Sequence, residues 1–566
     1  MRLRIRLLIL VSIFSVIAYI GYISSSNSED LDYLARIKPY IYKDSEPDYK
    51  PIVGQVENDP RHQFWDKIFD IFDAGDFNLE GVNVKDAIEY VAREDQIEGP
   101  DTKNVLLSKA KIKPGVFDEL KNKHNLVKSQ LPKKLAPSTY KSGSSGIVLI
   151  GGIKFSWLSY LSLVALRKAG SKLPVEIIMP QHDDFVKEQE FCTTVLPRLN
   201  AACVVLPDVL GASVMVKWSS KMATYQLKSL ALMVSSFQNV LLLDSDNIVV
   251  QNPDKLFESK LFKTHGMITW PDYWKRSISP LFYDIAGISV NERKRVRYGR
   301  FPLAVDTTVK TNVEEKEDEK ENVPYHDLQG TIPDLSTESG QFLINKDNHA
   351  CTLLLSMYYN MMGPNLYYKL FSLGAQGEGD KDTFPAAAVV CKDNFYQVKS
   401  FIKTFGYFDD KEQFQGVAMG QKDPLVDFNK VDTHVIKPSY TKELKSKPIE
   451  EQIERIKTIE SEHFDQDSLP LFTVHCNYPK LDPINLMDRK DMFDEENYRL
   501  KYRLYSDLKY NDPNIKNKLL DFELEQWKNI DRSLCEESIS FVHFKNHNIE
   551  EICKFAKAQV KWLNGN

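Results

Sequence analysis

The sequence lacks an excess of basic charge. Its 566 residues carry 73 Lys and Arg against 79 Asp and Glu, which gives a net charge of −6 and a pI near 6.1. A nucleic-acid-binding surface needs a basic field, so we expect no nucleic-acid partner. The 42% hydrophobic content is sufficient to bury a large core in a chain of this length.

Cysteine is scarce, and no two cysteines are spaced as a CxxC pair. This excludes a zinc ribbon. The count of seven leaves at least one thiol unpaired, and in an oxidising compartment we expect one or two disulfides whose pairing the sequence does not choose. The sequence also lacks an Asn-x-Ser/Thr sequon, so glycosylation neither supports nor opposes a secretory location.

One long uncharged run is present, from Leu7 to Ile23, directly after three arginines. As a helix it would span about 26 Å, close to the roughly 27 Å hydrocarbon core of early secretory membranes. A cleaved signal peptide is the alternative, but the run exceeds the usual apolar core of one and Ser24–Asn27 offers no Ala-x-Ala site. We therefore predict a cytoplasmic tail (1–6), a transmembrane anchor (7–23) and a luminal remainder.

The luminal part divides into two stretches of different composition. Residues 24–140 are charged and rich in proline, which predicts a stem, and KSGSSG (141–146) predicts a flexible joint. From there, residues 141–566 are expected to form the catalytic domain with a C-terminal helical extension. Apolar segments alternate with helical patterns in IVLIGG, VEIIMP, ACVVLPDV and NVLLLDSDNIVV, which predicts an α/β fold whose sheet is covered on both faces.

The main chemical motif is LLLDSDN, residues 241–247. Ligands of such sheets lie at the carboxyl ends of the strands, and two carboxylates at i and i+2, Asp244 and Asp246, can converge there on one hard cation. A cation offsets the charge that develops on a departing nucleoside diphosphate. This arrangement favours a metal-dependent glycosyltransferase.

Two alternatives remain for this motif. Asp244 or Asp246 could cap the following turn and have a structural role only. A haloacid-dehalogenase-type phosphatase also places DxD after an apolar strand, and GEGDKDTF (377–384) imitates its late acidic motif. Those enzymes usually carry Gly-Thr after the DxD, near the start of the domain, which this chain does not.

Further polar residues supply the other parts of a transferase site. Asp380 and Asp382 precede a helical segment and could face the anomeric carbon or a hydroxyl, although either could simply cap the helix. His475 follows a short apolar strand and could be a third metal ligand. Gly151, Gly152 and Lys154 follow the first strand and could let the nucleotide approach the backbone. Lys221 is a candidate diphosphate contact, with a solvated surface lysine as the alternative.

Several segments together resemble the fungal Golgi alpha-1,2-mannosyltransferases, in the same order from Ile147 to Lys480. They include GGIKFSWLSYLSLVALRKAGSKLPVEIIMP, LLLDSDN, WPDYWKRSISPLFYDIAGI, ESGQFLINK and VHCNYPK. The resemblance implies a GT-A-like, Rossmann-type, mixed but mostly parallel sheet, a type II Golgi membrane topology, Mn²⁺, and retaining transfer of mannose from GDP-mannose. It also implies mannose-containing glycan acceptors on glycoproteins and allows a complex with other mannosyltransferases.

The resemblance also implies roles for individual residues. Asp244 and Asp246 match the metal-binding DxD of the family. A more distant similarity to glycogenin-like transferases implies a lysine that contacts the donor, an acidic loop that faces the sugar and a late metal-binding histidine, at Lys221, Asp380, Asp382 and His475. Lys381 stands where those enzymes often carry an amide, which leaves the roles within this loop open.

The segment WPDYWKR resembles a sequence specific to this family. We expect Asp272, Tyr273 and Trp274 to line the donor or acceptor pocket, with core packing as the alternative.

An alpha-1,3 linkage and an inactive Golgi glycan-binding protein are the alternative functions. Attack by the acceptor on the face from which the diphosphate leaves and double displacement through Asp380 or Asp382 are the alternative mechanisms.

Overall fold

The computed structural model describes residues 59–91, 99–304, 323–512 and 515–565. Two sheets within these ranges surround the motifs identified in the sequence. Their strands are β1 (Lys141–Ile150), β2 (Val175–Met179), β3 (Ala201–Val205), β4 (Phe237–Leu243), β5 (Asn247–Val249), β6 (Met267–Pro271), β7 (Thr337–Asn345), β8 (Tyr396–Gln397), β9 (Lys403–Phe408), β10 (Phe414–Lys422) and β11 (Leu471–His475).

The larger sheet has seven strands in the order β8-β6-β7-β4-β1-β2-β3. Strand β1 is parallel to β2 and β4, β2 to β3, and β8 to β6, whereas β7 runs antiparallel to β4 and β6. The predicted mixed, mostly parallel sheet is therefore confirmed. The four apolar segments recognised in the sequence form β1 to β4.

Helices cover both faces of this sheet. The longer ones are α1 (Pro60–Ala74), α2 (Val116–Gln130), α3 (Lys154–Lys168), α4 (Gln226–Val234), α5 (Ala350–Met361), α6 (Thr383–Cys391), α7 (Ile449–Ile459), α8 (Phe522–Asp531) and α9 (Ile549–Leu563). Shorter α-helices of five to seven residues are Lys103–Ser108, His182–Lys187, Leu206–Leu210, Ala212–Trp218, Asp254–Glu258, Lys260–His265, Pro280–Ile285, Tyr368–Ser372, Pro424–Lys430 and Pro483–Met487.

Alternate side chains of the buried strands enter two separate cores. In β1, Ile147 and Leu149 pack in one core with α3, α8 and α9, while Val148 and Ile150 pack in the other with α1, α2, α4, α5 and α6. Both cores are needed because a parallel sheet is apolar on both faces.

Part of the predicted stem packs on the sheet. Trp65 and Phe72 of α1 and Leu120 and Val127 of α2 are buried in the second core. The segment KSGSSG, predicted as a flexible joint, is instead the first half of β1, and this prediction is wrong. Its backbone pairs with the strand that begins at Phe237, so tertiary pairing overrides a composition typical of linkers.

Three disulfides lie in the described residues, where one or two were expected: Cys192–Cys203, Cys351–Cys391 and Cys535–Cys553. Cys476 is a buried free thiol, as the odd count requires. Within the described ranges, no helix has the length and apolar character needed to cross a bilayer. The predicted anchor over residues 7–23 lies outside those ranges.

The smaller sheet positions the candidate site. It is antiparallel, in the order β9-β10-β11-β5. Strand β5 begins directly after β4 and the turn that contains the two aspartates, so the chain passes from the large sheet to the small one at the DxD motif. Since β11 pairs with β5 in the register His475↔Asn247, the last residue of β11 lies beside this turn.

Candidate metal and donor site

The turn Asp244–Asp246 is held in place by its backbone. The Asp244 amide donates to the Gly340 carbonyl of β7 at 2.8 Å, and the Cys476 amide donates to the Asp246 carbonyl at 2.9 Å. Ser245 is anchored differently, because its hydroxyl donates to the Ile150 carbonyl at the end of β1 at 2.7 Å. The motif therefore lies at the carboxyl ends of β1 and β4, where the sequence predicted a ligand site.

Three side chains converge at this turn. One ligand atom from each of Asp244, Asp246 and His475 lies within 4.8 Å of the other two. His475 Nε2 is 3.3 Å from Asp246 Oδ1 and 3.8 Å from Asp244 Oδ2. The structure thus brings together the three residues that the sequence proposed as metal ligands.

Glu338 of β7 supports the histidine from behind. His475 Nδ1 is 3.0 Å from Glu338 Oε1, and the Gly340 amide donates to the same oxygen at 2.5 Å. A side chain at residue 340 would not fit, because its Cβ would come within 2.7 Å of His475 Nδ1. The carboxylate fixes the orientation of the ring and directs Nε2 toward the two aspartates.

A second group of charges faces Asp244 from α4 and the acidic loop. Lys228 Nζ is 2.9 Å from Asp244 Oδ2 and 3.9 Å from Asp380 Oδ1, and it donates to the Ser339 hydroxyl at 3.0 Å. That hydroxyl in turn donates to Asp380 Oδ1 at 3.0 Å, while Asp380 Oδ2 is buried without a hydrogen-bond partner. Asp380 therefore offers one oxygen to a ligand.

Neighbouring charges and burial shift the pKa values of the groups in the site. Burial disfavours the imidazolium, but the neighbouring Asp246 and Glu338 raise the pKa of His475 to about 10. Burial likewise opposes the charged form of Asp246, but His475 and Lys480 lower the pKa of this carboxyl. Burial raises the pKa of Asp380 to about 6, with Lys228 acting in the opposite direction. The acidic field attracts positive charge to the centre of the site.

A family model described as a mannosyltransferase matches residues 144–423. The alpha-1,2-mannosyltransferase MNN23 of Candida albicans is 53% identical over 92% of this chain and 89% of its own length. The alpha-1,2-mannosyltransferase MNN22 of the same organism is 41% identical over 88% of this chain and 85% of its own length.

The chain belongs to this mannosyltransferase family. The family identified from the motifs is confirmed. Among solved structures, the glycosyltransferase GlyE of Streptococcus pneumoniae TIGR4 matches with a TM-score of 0.24 and 11% identity over 45% of each chain.

Several residues predicted for the family's site lie next to one another elsewhere at this edge. Lys381 Nζ is 2.7 Å from Asp272 Oδ2, and the Tyr273 hydroxyl is 2.8 Å from Thr404 Oγ1. Trp274 is 45% exposed. The first contact joins the WPDYWKR segment to the acidic loop, and the second joins it to β9.

The glycine segment after β1 also lies at this edge. Gly152 has φ +91°, a conformation that other residues rarely adopt, and its amide donates to Ser156 Oγ at 2.9 Å. A Cβ at residue 151 would come within 2.7 Å of Ile177 and Met179. The Lys154 ammonium lies 5.4 Å from the centre of the Phe155 ring, so its nearest described partner is an aromatic face rather than the DxD.

Two predicted residues have other partners. Lys221 Nζ is 2.9 Å from Asp76 Oδ2 and 4.6 Å from the centre of the Trp218 ring, whereas Lys228 and Lys480 pair with the aspartates of the DxD. Asp382 Oδ1 is 2.5 Å from Arg276 Nη1, with both side chains almost fully buried, and it accepts a hydrogen bond from the Thr337 amide at 3.0 Å. The carboxylate of Asp382 is thus paired with an arginine.

Sequence reasoning missed Lys228, Glu338 and Lys480, whose ammonium pairs with Asp246. A signal existed for two of them. Glu338 is the single charged residue within the buried strand segment TESGQFLIN, and burial of a charge requires a partner. Lys480 is in the segment VHCNYPK, which already carried the family resemblance.

Proposed function

We propose that the protein is a Golgi alpha-mannosyltransferase with a GT-A-like catalytic domain. It transfers mannose from GDP-mannose, with retention of configuration, to mannose residues of glycoprotein glycans and forms alpha-1,2 linkages. Family membership supports the mannosyl chemistry. The observation that carries the proposal is the convergence of Asp244, Asp246 and His475 at the carboxyl ends of the strands.

The donor set fits a divalent cation such as Mn²⁺. Two carboxylates and one imidazole are ligands that Mn²⁺ accepts, and the hydrogen bond that His475 Nδ1 donates to Glu338 leaves Nε2 on the side of the aspartates. Asp244, Asp246 and His475 would hold the ion. When bound, it would supply Lewis-acid stabilisation of the diphosphate charge.

Residues around these ligands have separate tasks in this proposal. Lys228, in place of Lys221, contacts the donor diphosphate, since its ammonium is beside Asp244. Asp380 binds a hydroxyl of the transferred mannose through its free oxygen. In the mechanism in which the acceptor attacks on the face from which the diphosphate leaves, the departing phosphate oxygen takes the proton of the acceptor hydroxyl. In the double-displacement alternative Asp380 is the nucleophile, because Asp382 is occupied by Arg276.

The location is also a proposal. Three disulfides in the described residues are typical of chains that fold in an oxidising compartment. A luminal catalytic domain behind an anchor at residues 7–23 accounts for them. Association with other mannosyltransferases of the membrane stays a prediction.

Removal of the cation is expected to abolish transfer. The purified full-length chain is incubated with GDP-mannose and an oligomannoside, and released GDP and mannosylated product are measured. We expect EDTA to stop both and Mn²⁺ to restore them, because the carboxylate pair alone repels the diphosphate. Other sugar nucleotides serve as donor controls, and product NMR separates alpha-1,2 from alpha-1,3 linkage. Full transfer in EDTA would contradict the proposal.

Separate substitutions of Lys228 and Lys221 test which lysine contacts the donor diphosphate. We expect Lys228→Met to lower kcat/KM for GDP-mannose by about 100-fold, because it removes a buried charge beside Asp244 and Asp380. Lys221→Met is the matched control and should stay close to wild type, since this lysine binds Asp76. Comparable losses in the two variants would show that the assignment to Lys228 is wrong.

A further inference from the structure

The β9–β10 hairpin extends beyond the metal site. In β10, Met419 is paired with His475, while the strand begins five residues earlier at Phe414. At about 3.4 Å per residue, the tip of the hairpin lies about 17 Å past the site. A surface along this hairpin can therefore contact a substrate that enters the site but is too long to fit inside it.

Tyr478 begins this surface. It follows His475 by three residues, its amide donates to the Val417 carbonyl of β10 at 3.2 Å, and the residue is 67% exposed. The Arg489 guanidinium lies 5.5 Å from the centre of the Tyr478 ring and is itself bound to Asp491 at 2.8 Å. The ring is thus held in position while much of it stays open to solvent.

A second pair of rings continues the surface toward the tip of the hairpin. Tyr407 of β9 stacks on Tyr502 with a centroid distance of 4.6 Å and an interplanar angle of 12°. The Tyr502 hydroxyl donates to Asp410 at 2.6 Å. Tyr407 is paired with Gln415 of β10, two residues from Val417, whose carbonyl accepts from the Tyr478 amide. The Tyr407–Tyr502 pair therefore follows Tyr478 along the hairpin. We call Tyr407, Tyr478, Arg489 and Tyr502 the tyrosine surface.

We infer that the tyrosine surface binds the mannose residues of the acceptor glycan that do not react. A pyranose ring has an apolar C–H face that stacks on an aromatic ring, and its hydroxyls bond to charged groups beside that ring. Both kinds of contact are available from the open Tyr478 ring, from the half-buried rings of Tyr407 and Tyr502, and from Arg489 with its partner Asp491. Exposed apolar surface marks interaction sites, and Tyr478 follows His475 by three residues. The inference rests on the proposed transfer to an oligomannoside.

The test compares a long and a short acceptor. For Tyr478→Ala we expect the KM for an oligomannoside to rise about tenfold, whereas the KM for methyl alpha-mannoside and for GDP-mannose should not change. Tyr478→Phe should restore the wild-type value, because it keeps the ring. Phe408→Ala is the matched control: Phe408 is 65% exposed on the same hairpin, but adjacent strand residues face opposite sides.

Equal effects on the two acceptors, or an unchanged KM for the oligomannoside, would overturn the inference. Loss of binding to another protein with unchanged acceptor kinetics would also overturn it. If the wild-type chain transfers no mannose, the proposed function fails, and saturation-transfer NMR with the oligomannoside still tests the inference. Binding that disappears in Tyr478→Ala would support the tyrosine surface, and binding that persists would reject it.

Discussion

Asp246→Ala is expected to lower mannosyl transfer by about a thousandfold or more, with the fold preserved. Asp246 contacts His475 and Lys480, and with Asp244 it supplies the carboxylates of the candidate metal site. Its removal leaves one carboxylate and one imidazole, which are too few to hold the cation against the diphosphate. The loss should appear in kcat/KM and should not be recovered by added Mn²⁺.

The matched control for this variant is Asp183→Ala. The Asp183 side chain is 82% exposed on a short surface helix, and its ion pair with Lys187 is a surface pair of little energetic value. Both variants should melt close to wild type, while the control alone should transfer mannose. Mannose transfer that persists in Asp246→Ala would contradict the metal-site role of this carboxylate. Glycan binding without transfer in the wild type and in both variants would favour the glycan-binding alternative.

Four strands of the large sheet, β1 to β4, could be predicted from the sequence because each contains a continuous apolar run with turn residues after it. For the same reason the DxD could be placed at a strand end. His475 is separated from Asp246 by more than two hundred residues, and its approach depends on the pairing of β11 with β5. Local sequence patterns do not contain that pairing. His475 is indicated only by its place after a short apolar strand and by the similarity to glycogenin-like transferases.

The start of the helix α4 separates the two lysines that could contact the donor. Lys221 and Lys228 are seven residues apart, a spacing that would place them on one helix face. The helix α4 begins at Gln226, however, and Lys221 belongs to a separate 3₁₀ turn before it. Tyr225 at the helix start makes no side-chain capping bond, so the sequence carries no start signal that could have separated the two lysines.

The acidic loop shows why residue type alone does not decide a role. Asp380 and Asp382 are two residues apart, equally buried and equally suited to bind a sugar. What differs is their partners, because Arg276 approaches Asp382 from a segment more than a hundred residues away. The Arg276 guanidinium also donates to the Pro333 and Leu335 carbonyls, which fixes it behind the loop.

The main effect expected of Asp382→Ala is therefore a loss of stability. Removing this carboxylate leaves Arg276 charged, fully buried and without its ionic partner, which should lower the free energy of unfolding by about 3–5 kcal/mol. Urea unfolding followed by tryptophan fluorescence measures this loss, with Asp183→Ala as the exposed reference. A stability close to that of the reference would show that Arg276 does not need this carboxylate.

Asp380→Asn completes the comparison within the same loop. Burial already raises the pKa of Asp380 to about 6, so exchanging its carboxylate for a neutral amide should cost the fold little. Transfer should nevertheless fall, because the charge that faces Lys228 and the donor is lost. Opposite outcomes for two carboxylates separated by Lys381 would assign Asp380 to the substrate and Asp382 to the support of the loop.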